Sequence, residues 1–305
     1  MLREFALIAF TILAQMSVGA FLVLGVVRFF VERKAGAKEA DRMGDRSLIA
    51  IIVVLALGML ASLLHLGSPL SAPRAVTNVA TSWLSREILF GVIFAVLGTA
   101  YAILQWFKLG PQILRVVTAW LAAAAGVVLV YAMSMVYMLP TQPSWNNLST
   151  PISFFTTTLL LGSLAMGAAY VMNYTYLKRI DPGCADLQCE LLRGTLRWIA
   201  VISVILLGVE FVRTPVYLVS LATGSPQAIE SAKMIAGPLG LMFLVRMILA
   251  FFGAGVFGFF LYQNAQNAGH EKALGYMAYA AFILVFIAEV LGRFMFYSSQ
   301  VGITL

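Results

Sequence analysis

Eight times along its 305 residues the chain stays apolar for about twenty residues or more. That is the length an α-helix needs to cross a hydrocarbon core of about 30 Å at a rise of about 1.5 Å per residue. The runs occupy residues 5 to 30, 48 to 66, 86 to 106, 115 to 138, 152 to 177, 197 to 219, 238 to 262 and 273 to 297. In lipid every backbone N–H and C=O must be satisfied internally, and continuous runs of this length do so as helices. The sequence therefore predicts an all-α integral membrane protein with eight transmembrane helices. Composition agrees, because 11% charged residues, against about 25% in soluble domains, leaves little material for an aqueous domain. No linker, low-complexity tract or internal repeat divides residues 1–305, so a single membrane domain is expected. The first run is too long for the apolar part of a cleaved signal peptide, and its strongest basic flank follows it; it reads as a retained helix.

Orientation follows from where Lys and Arg gather, since basic residues concentrate in cytoplasmic loops. The first connection carries Arg33, Lys34, Lys38, Arg42 and Arg46, the third Lys108, the fifth Lys178, Arg179 and Arg193, and the seventh Lys272. The second, fourth and sixth hold only Arg74, no basic residue, and Lys233. Both termini are accordingly expected on the outer, periplasmic side. The net charge of +7 is explained by the same bias and implies no nucleic-acid partner. The outer stretch Pro140–Asn147 is polar but uncharged, and suits either a docking surface or short turns wetted by headgroups.

Ionisable groups inside the runs carry the functional signal, because a charge at mid-bilayer costs about 2.5–3.5 kcal/mol on insertion scales and needs a partner, water or a task. Glu210 and Arg213 stand at i and i+3 in the sixth run, Glu289 and Arg293 at i and i+4 in the eighth, and Arg246 in the seventh. Each pair shares one helix face and reads either as a neutralised structural pair or as part of a proton path. Counted at about 1.5 Å per residue, these groups, His65 and Glu87 all fall in the outer half of the membrane. His65, at an outer helix end, with Glu87 just past the next turn, is a candidate proton acceptor at an unperturbed pKa of about 6.5.

Several chemistries are not encoded. A membrane haem b needs two facing His ligands, and the other histidine, His270, falls in an inner loop. Cys184 and Cys189 are too few for an iron–sulfur cluster. They sit in a connection read as cytoplasmic, where they stay reduced without a metal role. There is no phosphate loop or nucleophile triad. Redox chemistry would thus begin with a diffusible molecule and end in another subunit.

The stretch His65-Leu66-Gly67-Ser68-Pro69, then Leu84-Ser85-Arg86-Glu87, then Ala288-Glu289-Val290-Leu291-Gly292-Arg293 with Phe296-Tyr297 resembles the membrane-anchor subunit (DmsC type) of the dimethyl sulfoxide reductase family. The resemblance spans the chain. It implies a complex in the inner membrane of a prokaryote, with a molybdopterin catalytic subunit and a four-cluster iron–sulfur subunit on the periplasmic face. The anchor in such a complex does not catalyse the terminal reduction. It binds menaquinol, oxidises it near the outer face, and passes electrons to the iron–sulfur subunit. By this resemblance His65 and Glu87 are the residues of quinol oxidation, with Gly67, Ser68, Arg86, Arg246, Glu289 and Arg293 around the quinol, and no haem or cluster in this chain. The fifth connection, with its two cysteines, looks longer and more polar than the family pattern. A competing reading makes the buried Glu/Arg pairs the path of a proton-coupled transporter, with Pro215 beside Glu210 and Arg213 as a candidate helix break.

Overall fold

The computed structural model describes residues 2–65, 76–180, 185–266 and 271–302. Among these residues eight helices are long and apolar enough to cross a membrane. They are α1 (Leu2–Ala35), α2 (Ala37–His65), α3 (Trp83–Trp106), α4 (Gln112–Val136), α5 (Ser149–Ile180) and α6 (Ala185–Ala222), with α8 (Gly240–Asn264) and α9 (Glu271–Ser298) following a short surface helix, α7 (Pro226–Ala236). All eight expected runs become helices. Being even in number, the spans put both termini at one end of the bundle, here called the terminal end; the opposite end is the basic end.

The helices overrun the apolar stretches at the basic end. Residues 31–47, read from sequence as a loop, are helical apart from Gly36. Gly36 turns the chain at φ +86°, a conformation free of the Cβ clash only for glycine. Likewise, most of the polar fifth connection is helix: Lys178 and Arg179 lie in the last turn of α5, while Cys189 and Arg193 belong to the first turns of α6. Only residues 181–184, Cys184 among them, lie outside the described residues there. The projecting turns hold one another by polar contacts. Lys34 pairs with Glu190 at 2.6 Å, Gln188 donates to Glu39 at 2.6 Å, and Asn173 donates to the Arg42 and Met43 carbonyls at 2.8 and 2.9 Å. Most of the stretch read from sequence as the fifth connection is thus helix, its polar turns held by these partners.

The sixth connection is not a plain turn, for it contains α7. The residues that start this helix are visible in the sequence: Ser225 caps it, accepting from the Ala228 N–H at 3.3 Å, and Pro226 takes the first position, where no N–H is needed. In α6, Pro215 does not break the helix, which is continuous from Ala185 to Ala222. In α8, residues Phe251–Phe257 form a π-helical stretch.

Helices α1 and α5 form the centre, with 72% and 67% of their apolar windows buried against 28–39% for the others. Around them α2 packs on α1, α3 on α4, and α6, α8 and α9 gather on the α5 side. Lipid provides no hydrophobic drive for helix association, so close backbone approach does this work. At the α1–α5 crossing a Cβ on Gly19 would overlap the Thr158 carbonyl, and one on Gly162 would overlap the Gly19 backbone. Gly162→Val should therefore force the two central helices apart, at about 1–3 kcal/mol or more for overpacking. The expected outcome is a lowered aggregation temperature in detergent, whereas Gly98→Val, whose Cβ meets open space, should leave it near the wild-type value.

Candidate functional site

The buried ionisable groups meet at the terminal end. On α6, Arg213 donates to Glu210 twice, from Nε at 3.0 Å and from Nη2 at 2.5 Å. Arg246, reaching across from α8, donates to the same carboxylate through Nη2 and lies 4.0 Å from Glu289 on α9. Glu289 in turn accepts the Thr157 hydroxyl of α5 at 2.6 Å. The Glu210–Arg213 pair expected from sequence is present, but it is one part of a four-helix network.

Glu289 and Arg293 share a face without forming an ion pair in the structure. Arg293 instead donates to Gln15 of α1 at 2.9 Å, and its guanidinium lies 3.9 Å from the Phe154 ring centre. A cation over a desolvated aromatic face gains on the order of 2 kcal/mol, which offsets part of the cost of burying Arg293. Gln15 also donates to the Phe154 carbonyl at 3.0 Å, so both ends of its amide are used. Room for Arg246 comes from Gly292: a Cβ there would stand 2.7 Å from the guanidinium carbon.

Glu87 behaves differently. It is 8% exposed near the start of α3 and, among the described residues, has neither a hydrogen bond nor an ion pair. Its neighbours in electrostatic reach are Tyr137 and Tyr297, whose hydroxyls are hydrogen-bonded at 2.7 Å; Arg293 is within electrostatic reach of the same two tyrosines. The polar groups therefore continue from Glu87 through the tyrosine pair to Arg293 and on to the Glu289–Arg246–Glu210–Arg213 network. Three carboxylates, Glu87, Glu210 and Glu289, balance three guanidinium groups, Arg213, Arg246 and Arg293.

The Pro140–Asn147 stretch covers this region as a folded cap. Trp145 stacks on Phe296 with ring centres 5.4 Å apart and donates to the Phe296 carbonyl at 2.8 Å. Tyr217 donates to the Ser144 carbonyl at 3.0 Å, and Asn147 to Ser220 at 3.0 Å. Among the network residues lies a pocket of about 70 Å³ lined by Thr157, Arg213, Tyr217, Arg246, Glu289 and Arg293. That is room for ordered water against these polar side chains.

Arg86 stays outside the network: it donates to the Val79 and Ala80 carbonyls at 2.8 and 2.7 Å and lies over Trp83, so it secures the turn leading into α3. His65 closes α2, while its side chain, with Gly67 and Ser68, lies outside the described residues. Sequence reasoning missed Gln15, Thr157 and Tyr137. For Gln15 a signal existed, since it is the one amide in the first apolar run. Thr157 hides in Thr156-Thr157-Thr158, where composition does not say which hydroxyl turns inward.

Eight apolar spans around a buried, charge-balanced network define a multi-pass integral membrane protein with a polar site at one end. The chain belongs to the DMSO reductase anchor subunit (DmsC) family, whose pattern it matches over residues 1–299. It is 28% identical over 301 residues to the C chain of the anaerobic dimethyl sulfoxide reductase of Escherichia coli (strain K12), a match covering 97% of this chain and 94% of that protein. To the YnfH chain of the anaerobic dimethyl sulfoxide reductase of the same organism it is 35% identical over 167 residues, covering 54% of this chain and 57% of that one. A shorter match, 33% over 105 residues, joins it to the C subunit of the sulfite dehydrogenase of Allochromatium vinosum, covering 34% of this chain and 32% of the relative.

Proposed function

We propose that this anchor binds menaquinol at the terminal end and removes its electrons and protons, with Glu87 and His65 as the proton acceptors. The observation that carries this reading is the Glu87 carboxylate, buried beside two bonded tyrosine hydroxyls and, among the described residues, without a hydrogen bond or ion pair. Every other buried acid in the network is held by cations or hydroxyls. A carboxylate left in this way is available to a substrate hydroxyl. By the resemblance to the family, His65, at the end of α2, and Gly67 and Ser68, just beyond it, belong to the same site.

In the mechanism, the two quinol hydroxyls give up one proton each, to Glu87 and His65. Tyr137 and Tyr297, which carry a rotatable O–H each, relay the proton on Glu87 toward the cavity held by Arg246, Glu289 and Arg293, or it leaves directly at the terminal end. Glu210 and Arg213 keep Arg246 in place. The two electrons pass one at a time to an iron–sulfur subunit docked at that end, and from it to a molybdopterin subunit; this chain contributes position, desolvation and proton removal. Menaquinol is a substrate here and menaquinone its product, and neither haem nor cluster belongs to the chain. The terminal end would face the periplasm of a prokaryotic inner membrane, a sidedness supported by the basic residues of the opposite loops.

The test is purification of the assembled complex from its native membrane, with mass spectrometry of the subunits and extraction of bound quinone. Copurifying molybdopterin and four-cluster iron–sulfur subunits, together with menaquinone, are expected. A chain that runs alone without quinone would overturn the assignment.

A further inference from the structure

A second cleft lies at the basic end, far from the network just described. It has a volume of about 310 Å³ and opens sideways between α1 and α4 over a floor from α3. Its apolar wall includes Val26 and Phe30 on α1 and Val116 and Trp120 on α4, all exposed where lipid chains would run. At its aqueous rim stand two opposite charges that are not used against each other. Arg115 makes one long contact to Gln105 at 3.4 Å, and its Nε is buried with no partner. Glu32 accepts from Gln112 at 2.7 Å and, among the described residues, pairs with no cation. The neighbouring cations are already engaged: Arg28 pairs with Asp41 at 2.6 Å, and Lys108 with Asp41 and Asp45 at 2.7 and 2.6 Å. α4 also begins at this rim; its N-cap Pro111 offers no side-chain cap, and its first residue, Gln112, is the one bonded to Glu32.

We infer that this cleft is a binding site for a zwitterionic phospholipid with a primary amine headgroup, of the phosphatidylethanolamine type. One acyl chain fills the apolar groove, the phosphate takes the free donors of Arg115 at the start of α4, and the ammonium meets Glu32. The charge pair at the rim selects the occupant. An anionic lipid would satisfy Arg115 but face Glu32 with no cation of its own, and a quinone, though able to hydrogen-bond, would bring no charge to neutralise either group.

The full chain, purified in detergent and exposed to equimolar palmitoyl-oleoyl phosphatidylethanolamine and phosphatidylglycerol, is read by native mass spectrometry. Wild type should retain the ethanolamine lipid in preference. Arg115→Gln should lower retention of both lipids about tenfold, the loss expected of a charge-assisted hydrogen bond. Glu32→Gln should abolish the preference while keeping phosphatidylglycerol. Gly25 lines the groove and a Cβ on it meets nothing within 4 Å, so Gly25→Leu fills the space without disturbing the helices and should expel either lipid. This variant keeps the test decisive should a charge substitution fail to fold. Equal retention of the two lipids by wild type, retention unmoved by Gly25→Leu, or menaquinone displaced by that substitution would each overturn the inference.

Discussion

Arg246→Leu is expected to prevent the chain from accumulating as a stable membrane protein. Arg246 is the guanidinium that touches Glu210 and lies within 4.0 Å of Glu289; without it Glu210 keeps only Arg213, and Glu289 only the Thr157 hydroxyl. Removing one partner of a buried ion pair costs about 3–5 kcal/mol, because the other charge stays buried and uncompensated. Set against a typical folding stability of about 5–15 kcal/mol, that is a large fraction. Membrane abundance and the aggregation temperature in detergent both check it. Adding Glu289→Gln to Arg246→Leu should recover part of the loss, since it removes one stranded charge. A single variant as abundant and as heat-stable as wild type would mean that the network contributes nothing to the fold.

Glu87→Gln should act in the opposite way, leaving the fold and losing the activity. The substitution keeps the size of the side chain, and Glu87 has no ion pair to break among the described residues, so the complex should assemble at wild-type levels. Quinol oxidation should fall by on the order of 10²–10⁴, the usual contribution of a positioned general base. The measurement is turnover of a menaquinol analogue with an artificial acceptor, alongside the amount of assembled complex. His65→Ala should fall similarly. Tyr297→Phe removes the hydroxyl bonded to Tyr137 and should slow turnover less, because a direct route for the proton remains. Unchanged turnover in Glu87→Gln would remove Glu87 from the mechanism and leave its burial unexplained by function.

Much of this architecture can be read from the residues. Eight apolar runs imply eight helices because the bilayer admits few alternatives, and Glu210 with Arg213 are partners because i and i+3 share a face. The same rule misled at Glu289 and Arg293. They share a face, yet Arg246 and Thr157 reach Glu289, while Gln15 and the Phe154 ring hold Arg293. Which helix stands beside which is a three-dimensional fact, and the partners of these two residues come from other helices far away in the chain. The extended ends of α1, α2, α5 and α6 were hidden for a related reason. Charged residues look like loop to a hydropathy reading, although beyond the lipid a helix is as content with water on its flank as with hydrocarbon.

The π-helical stretch of α8, Phe251–Phe257, makes this span two rotors on one axle. A π turn accommodates one residue more than the α-helical ladder around it, and one residue corresponds to about 100° of rotation in an α-helix. The half carrying Arg246 and the half carrying Leu261 are therefore phased separately: one aims a cation at Glu210, while the other aims apolar side chains at the core. Wound as an unbroken α-helix with the same number of residues, the span would swing Arg246 out of the network by about 100° with no polar residue altered. The extra residue works as a phase adjuster, and the charge balance of the terminal end depends on a segment that contains no charge at all.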